Sequence, residues 1–77
     1  MKATGKCIEN GKTRNWRDII PNVDEWVENR KFFLKEIWKY DTLTESRTGN
    51  QIIISAYREN KPRRKEKMTT YILTIID

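Results

Sequence analysis

Residues 22–40 read NVDEWVENRKFFLKEIWKY, and their periodicity decides the fold. At 100° per residue, Val23, Trp26, Val27, Phe33, Leu34, Ile37, Trp38 and Tyr40 fall on one face, the signature of an amphipathic helix. Asp24, Glu25, Glu28, Lys31, Lys35, Glu36 and Lys39 occupy the rest of the circumference. Pro21 pushes Ile20 out of helical geometry, so the helix starts after it. Asn22 stands as N-cap with Glu25 three residues on, a capping-box spacing. Asp24 and Glu25 also place negative charge where the helix dipole favours it. The pattern predicts a helix over Val23–Tyr40 with an aromatic stripe that needs a partner layer.

Two residues break the pattern. Arg30 falls near the middle of the apolar stripe, and Phe32 points to the polar side. Arg30 is expected to lay its stem over the core edge and reach water or a carboxylate such as Asp41. The alternative is a guanidinium held for a phosphate or a partner carboxylate. Phe32 reads either as a lone exposed aromatic or as an anchor for a partner protein or a base.

The partner layer comes from strands on both sides of the helix. Residues 2–9 read as a strand, Asn10-Gly11 as a tight hairpin turn and Lys12 to Trp16 as the returning strand. After the helix, Thr42 to Ser46 alternates as a short strand and residues 47–50 (RTGN) form a turn signal. Gln51 to Arg58 is Ile-rich and reads as a strand. Residues 60–67 (NKPRRKEK) form a solvated loop, and Met68 to Ile76 is the last strand. In that strand Tyr71, Leu73 and Ile75 share one face, while Thr70, Ile72, Thr74 and Ile76 share the other. The expected fold is α+β: a single amphipathic helix packed on a small antiparallel sheet of four or five strands, ββαβββ or ββαββ. Residues 1–77 form a single small domain. The last strand is expected to leave an apolar edge that a homodimer would cover.

Composition excludes several chemistries. The chain has 77 residues, with 16 Lys and Arg against 11 Asp and Glu, a formal charge of +5. It contains no His and one Cys. Every mechanism that needs imidazole falls away, as does a disulfide within the chain. Gly5, Gly11 and Gly49 are scattered, so there is no Gly-rich phosphate loop, and no carboxylates cluster at metal-ligand spacing. No enzyme activity, cofactor or metal is therefore expected. Cys7 reads as a small hydrophobe in a strand. No signal-peptide pattern and no run of about 18 apolar residues is found, and a cytoplasmic location is expected. Ile, Lys and Asn make up 25 residues while Gly, Ala and Pro make up seven, the bias of AT-rich coding sequence common in phages and mobile elements.

The charge excess is local. Residues 58–67 (RENKPRRKEK) hold six of the Lys and Arg against Glu59 and Glu66, a net +4 out of +5. A nearly neutral body thus carries one basic hairpin arm, built from Arg58, Lys61, Arg63, Arg64, Lys65 and Lys67. Such an arm suits a phosphate backbone, DNA or RNA. Trp16, Phe32 and Tyr57 are the aromatic platforms that this reading leaves outside the core, with Trp26 and Trp38 assigned to it. Two functions are expected from this. One is a non-catalytic nucleic-acid-binding regulatory protein of phage or mobile-element type. The other is a small inhibitor that docks on a host protein or nucleoprotein, of the anti-defence or anti-CRISPR type, with Phe32 or Tyr57 as anchor. Neither reading involves a membrane.

Overall fold

The structure is a computed structural model that describes residues 1–9, 11–58 and 68–76. Its elements run β1 (Ala3–Glu9), β2 (Lys12–Asn15), α1 (Val23–Phe32), a π-helical segment (Phe33–Ile37), β3 (Thr42–Thr48), β4 (Gln51–Tyr57) and β5 (Met68–Ile75). This is the ββαβββ form of the expected α+β fold, with one helical segment on a five-stranded antiparallel sheet. Among the described residues no helix is long and apolar enough to cross a membrane.

Local signals set the element boundaries. Gly11 takes a φ of 79° between β1 and β2, the conformation a tight hairpin turn requires. The Asn22 side chain accepts a hydrogen bond from the Glu25 N–H at 3.2 Å, so the predicted cap forms. Strand β3 runs on to Thr48, and only Gly49 and Asn50 turn. Arg47 and Thr48 are therefore strand residues and not turn residues. They are held there by pairing with Ile52 and Gln51.

The sheet order is β2-β1-β5-β4-β3. Strand β5 is bonded to β1 on one side and to β4 on the other. The expectation that the last strand is an apolar edge is corrected by this order, because β5 is central. Its Tyr71 and Leu73 are buried under the helix, and its backbone is paired on both sides, so it presents no free edge. The edges are β2, short and fully exposed, and β3.

The core lies between the helix and one face of the sheet. Val23, Val27 and Leu34 from the helical segment meet Ala3, Cys7, Ile52, Ile54, Ala56, Tyr71 and Leu73 from the strands. Ile20 joins them from the connector, paired to Ala3 by backbone hydrogen bonds of 2.8 and 3.0 Å. Gly5 is needed here. A Cβ at its position would come within 2.9 Å of Leu73 Cδ2 and 3.3 Å of Ile20 Cδ1. The far face of the sheet carries Thr, Ser and scattered Ile, as the alternation predicts.

The helix departs from expectation in its second half. The predicted α-helix to Tyr40 stops at Phe32, and Phe33–Ile37 form a π-helical turn closed by the Trp38 N–H on the Phe33 carbonyl at 3.1 Å. A π turn carries one extra residue, so positions after it rotate by about 100° from the α-helical pattern. Leu34 stays buried, while Ile37 and Trp38 are turned out and are 59% and 52% exposed; Phe33, which opens the turn in α geometry, lies at the edge of the stripe and is 40% exposed. The assignment of Phe33, Ile37 and Trp38 to the core stripe is corrected accordingly. The segment then breaks at Lys39, which has a φ of 57°. Tyr40 turns back toward the sheet, where its hydroxyl and that of buried Thr69 lie 2.6 Å apart.

Candidate functional site

Register brings the chemically interesting residues to one end and one row of the sheet. Tyr57, the last residue of β4, pairs with Met68, the first of β5. The basic stretch 58–67 therefore leaves and re-enters the sheet at neighbouring positions. Lys61, Arg63, Arg64, Lys65 and Lys67 lie outside the described residues. Arg58 is described, and its guanidinium is engaged. It sits 4.3 Å from the Tyr40 ring centroid and donates to the Lys39 carbonyl at 3.2 Å. A cation at that carbonyl meets the negative end of the helix dipole. Arg58 thus clasps the helix terminus to the base of the basic stretch.

The other two predicted anchors are separated. Phe32 ends α1 and is 63% exposed, on the helix layer. Tyr57 alternates with buried Ala56 and so belongs to the helix-free face of the sheet. The sheet lies between these two positions, and they do not make one contact patch. Trp16 is not an open platform either. It is half-buried and stands edge-on to Trp26 and Tyr71, with centroids 5.7 and 5.9 Å away.

Sequence reasoning missed two features. The first is the exposed apolar group of Phe33, Ile37 and Trp38, with the Phe33 and Trp38 rings 6.3 Å apart. No local signal announces the π turn that exposes Ile37 and Trp38.

The second is the setting of Arg30. Its guanidinium lies 4.9 Å from the Trp26 ring, 5.2 Å from Tyr71 and 5.7 Å from Phe33. In place of the expected carboxylate, such as Asp41, it has three ring faces. Among the described residues no carboxylate is within ion-pair distance of it. The signal was the spacing of Trp26, Arg30 and Phe33 at i, i+4 and i+7, which stacks them along one side of a helix. The third ring arrives only through the sheet.

Pairing across the sheet continues the row from Tyr71 through Cys7 to Arg14. Arg30, Arg14, Asn15, Trp16, Cys7 and Tyr71 line a cavity of about 360 Å³ that opens beside β2. Burial pushes the Cys7 thiol up from its ordinary pKa, aided by the Glu9 charge and opposed by Arg14. Burial pushes the Tyr71 hydroxyl up as well, with the Arg30 charge opposing. Both groups are therefore neutral donors at neutral pH. On the other side of Arg30, Lys31 pairs with Glu45 at 3.0 Å, and Arg47 pairs with Glu45 at 2.7 Å and Asp24 at 3.5 Å. Those cations are compensated within the fold. No cluster of three metal-ligating side chains is found among the described residues.

No protein-family model, curated protein or solved structure matches this chain.

Proposed function

We propose that this protein is a small non-catalytic nucleic-acid-binding module of phage or mobile-element type, with residues 58–67 as its contact segment. The observation that carries the reading is the pairing of Tyr57 with Met68. It ties both ends of a stretch with net charge +4 to adjacent strands, so its cations act from one place on the surface. Arg58 braces that place against Tyr40, and half-exposed Trp38 lines a cavity with Tyr40 and Thr69 beside it. Concentrated positive charge next to exposed rings is the chemistry that single strands meet, phosphates on cations and bases on rings.

The test is a salt titration of binding to single- and double-stranded DNA and RNA. If all six cations meet phosphates, affinity drops on the order of 10³-fold between 50 and 200 mM salt. Reversal of Arg63 and Arg64 to Glu abolishes binding. Salt-independent binding, or none at low salt, refutes the proposal.

A second reading has its own observation. The exposed Phe33, Ile37 and Trp38 suit a protein partner, which is the inhibitor alternative. Capture of a discrete protein from nuclease-treated lysate, lost in the Trp38→Ala variant, would favour it.

A further inference from the structure

The cavity between α1 and β2 gathers two guanidiniums, and the one carboxylate beside it among the described residues is Glu9, which lines the adjoining hollow and pairs with Arg14. Its lining includes Arg14, Arg30 and Tyr71, and no carboxylate among the described residues. Arg30 is half-buried and kept in place by three rings, which stabilise a cation without neutralising it. Arg14 projects from the edge strand, 79% exposed, and its carboxylate contact, with Glu9, is a long 3.8 Å. A positive pair in a partly desolvated hollow attracts an anion, and planar guanidiniums bind phosphate oxygens in bidentate fashion.

The anion's charge can be inferred from the site. A carboxylate brings one negative charge, whereas a phosphate monoester brings close to two at neutral pH and three acceptor oxygens. Two guanidiniums from different elements, with Tyr71 in the same lining, match the second. The cavity volume of about 360 Å³ lies at the small end of the usual range for small-molecule sites. Trp16, half-buried against Trp26 and Tyr71, forms part of its wall, and its exposed part can touch a ring carried by the phosphate. We propose that this cavity binds a phosphate monoester attached to a nucleoside, with Arg14 and Arg30 as the phosphate ligands. The nucleoside phosphate is either free or the 5′ terminus of a nucleic-acid strand.

The experiment uses the full chain carrying Arg63→Glu and Arg64→Glu, so that the basic segment contributes nothing. Binding of AMP, of adenosine and of one oligonucleotide with and without a 5′ phosphate is followed by tryptophan fluorescence. The expected result is saturable AMP binding at least tenfold tighter than adenosine. Arg14→Gln, on an exposed edge strand, weakens AMP at least tenfold with an unchanged circular dichroism spectrum. Arg30→Lys, which keeps the charge but loses the fork, weakens it as well. A tenfold preference for the phosphorylated oligonucleotide over the hydroxyl form assigns the strand end as the source. AMP binding without that preference assigns the free nucleotide. The proposal is overturned if AMP binds no better than adenosine and the 5′ phosphate gives no advantage. It is equally overturned if folded Arg14→Gln binds AMP like its parent.

Discussion

Trp26 and Trp38 sit on one continuous helical segment and share the same apolar stripe by sequence, yet their surroundings differ. Trp26 stands edge-on to Trp16 and Tyr71, centroids 5.7 Å from each, with Arg30 over its ring. Trp38 is 52% exposed and touches Phe33 at 6.3 Å. The difference is the π turn between them. It keeps Leu34 in the core and lets Tyr40 reach Thr69, and its consequence is an outward rotation of Ile37 and Trp38. Hydrophobic periodicity therefore predicts burial only as far as the helix keeps its 3.6-residue turn. The N-terminal half builds structure, and the C-terminal half presents surface at the end where the basic stretch joins the sheet.

Substitution of the two tryptophans gives the largest contrast. Trp26→Ala removes the centre of the ring cluster and is expected to cost about 3 kcal/mol in denaturant unfolding. Trp38→Ala is expected to change stability by less than about 0.5 kcal/mol. Equal losses at the two positions would mean that Trp38 is packed and would remove the comparison. An intermediate effect belongs to Arg58, which ties the C-terminal end of the helical segment to the end of β4. Arg58→Ala loses the contact with the Tyr40 ring and the bond to the Lys39 carbonyl, and should cost about 1 kcal/mol. Its hydrogen-exchange signature should be faster exchange at the Tyr40 and Asp41 amides, with that of Trp26 unchanged.

The smallest effect is electrostatic and lies on the N-terminal half. Hydrogen bonds from Arg47 and then Lys31 hold the Glu45 carboxyl below its ordinary pKa. A folded-state value below the unfolded one stabilises the fold above the ordinary value. That contribution declines as pH falls through the ordinary carboxylate range, and is gone below the folded value. Because Lys31 and Arg47 are substantially exposed, Glu45→Gln should cost less than about 1 kcal/mol at neutral pH. The difference between wild type and variant should vanish in acid and shrink in 1 M salt. A difference that survives both conditions would point to packing by the Glu45 side chain instead of charge.

Particular residues show how much could be read in advance. The cap at Asn22, the turn at Gly11 and the alternation of Tyr71 with Ile72 were legible, because each depends on neighbours a few residues away. The net +4 of residues 58–67 was equally legible as composition. Arg30 stood out as an anomaly, but its ring partners did not. Trp26 and Phe33 were within reach of helical spacing, while Tyr71 is 41 residues further along the chain. The placement of β5 at the centre of the sheet was also missed, since a last strand rich in Ile reads the same at an edge or in the middle.

The sequence by itself determined the class of the fold, the order of its elements, the start of its helix and the location of its surplus charge. These follow from backbone geometry and side-chain periodicity within single segments. Only the tertiary structure decided the strand order, the π turn that exposes Trp38, and the convergence of Arg30 and Arg14 on one cavity with Cys7 and Tyr71. The physical reason is that strand order and the setting of Arg30 depend on contacts distant in the chain, of the kind that joins Thr69 to Glu9 across 60 residues, and that the π turn accompanies the seating of Leu34 and Tyr40 against the sheet. No local window contains both partners.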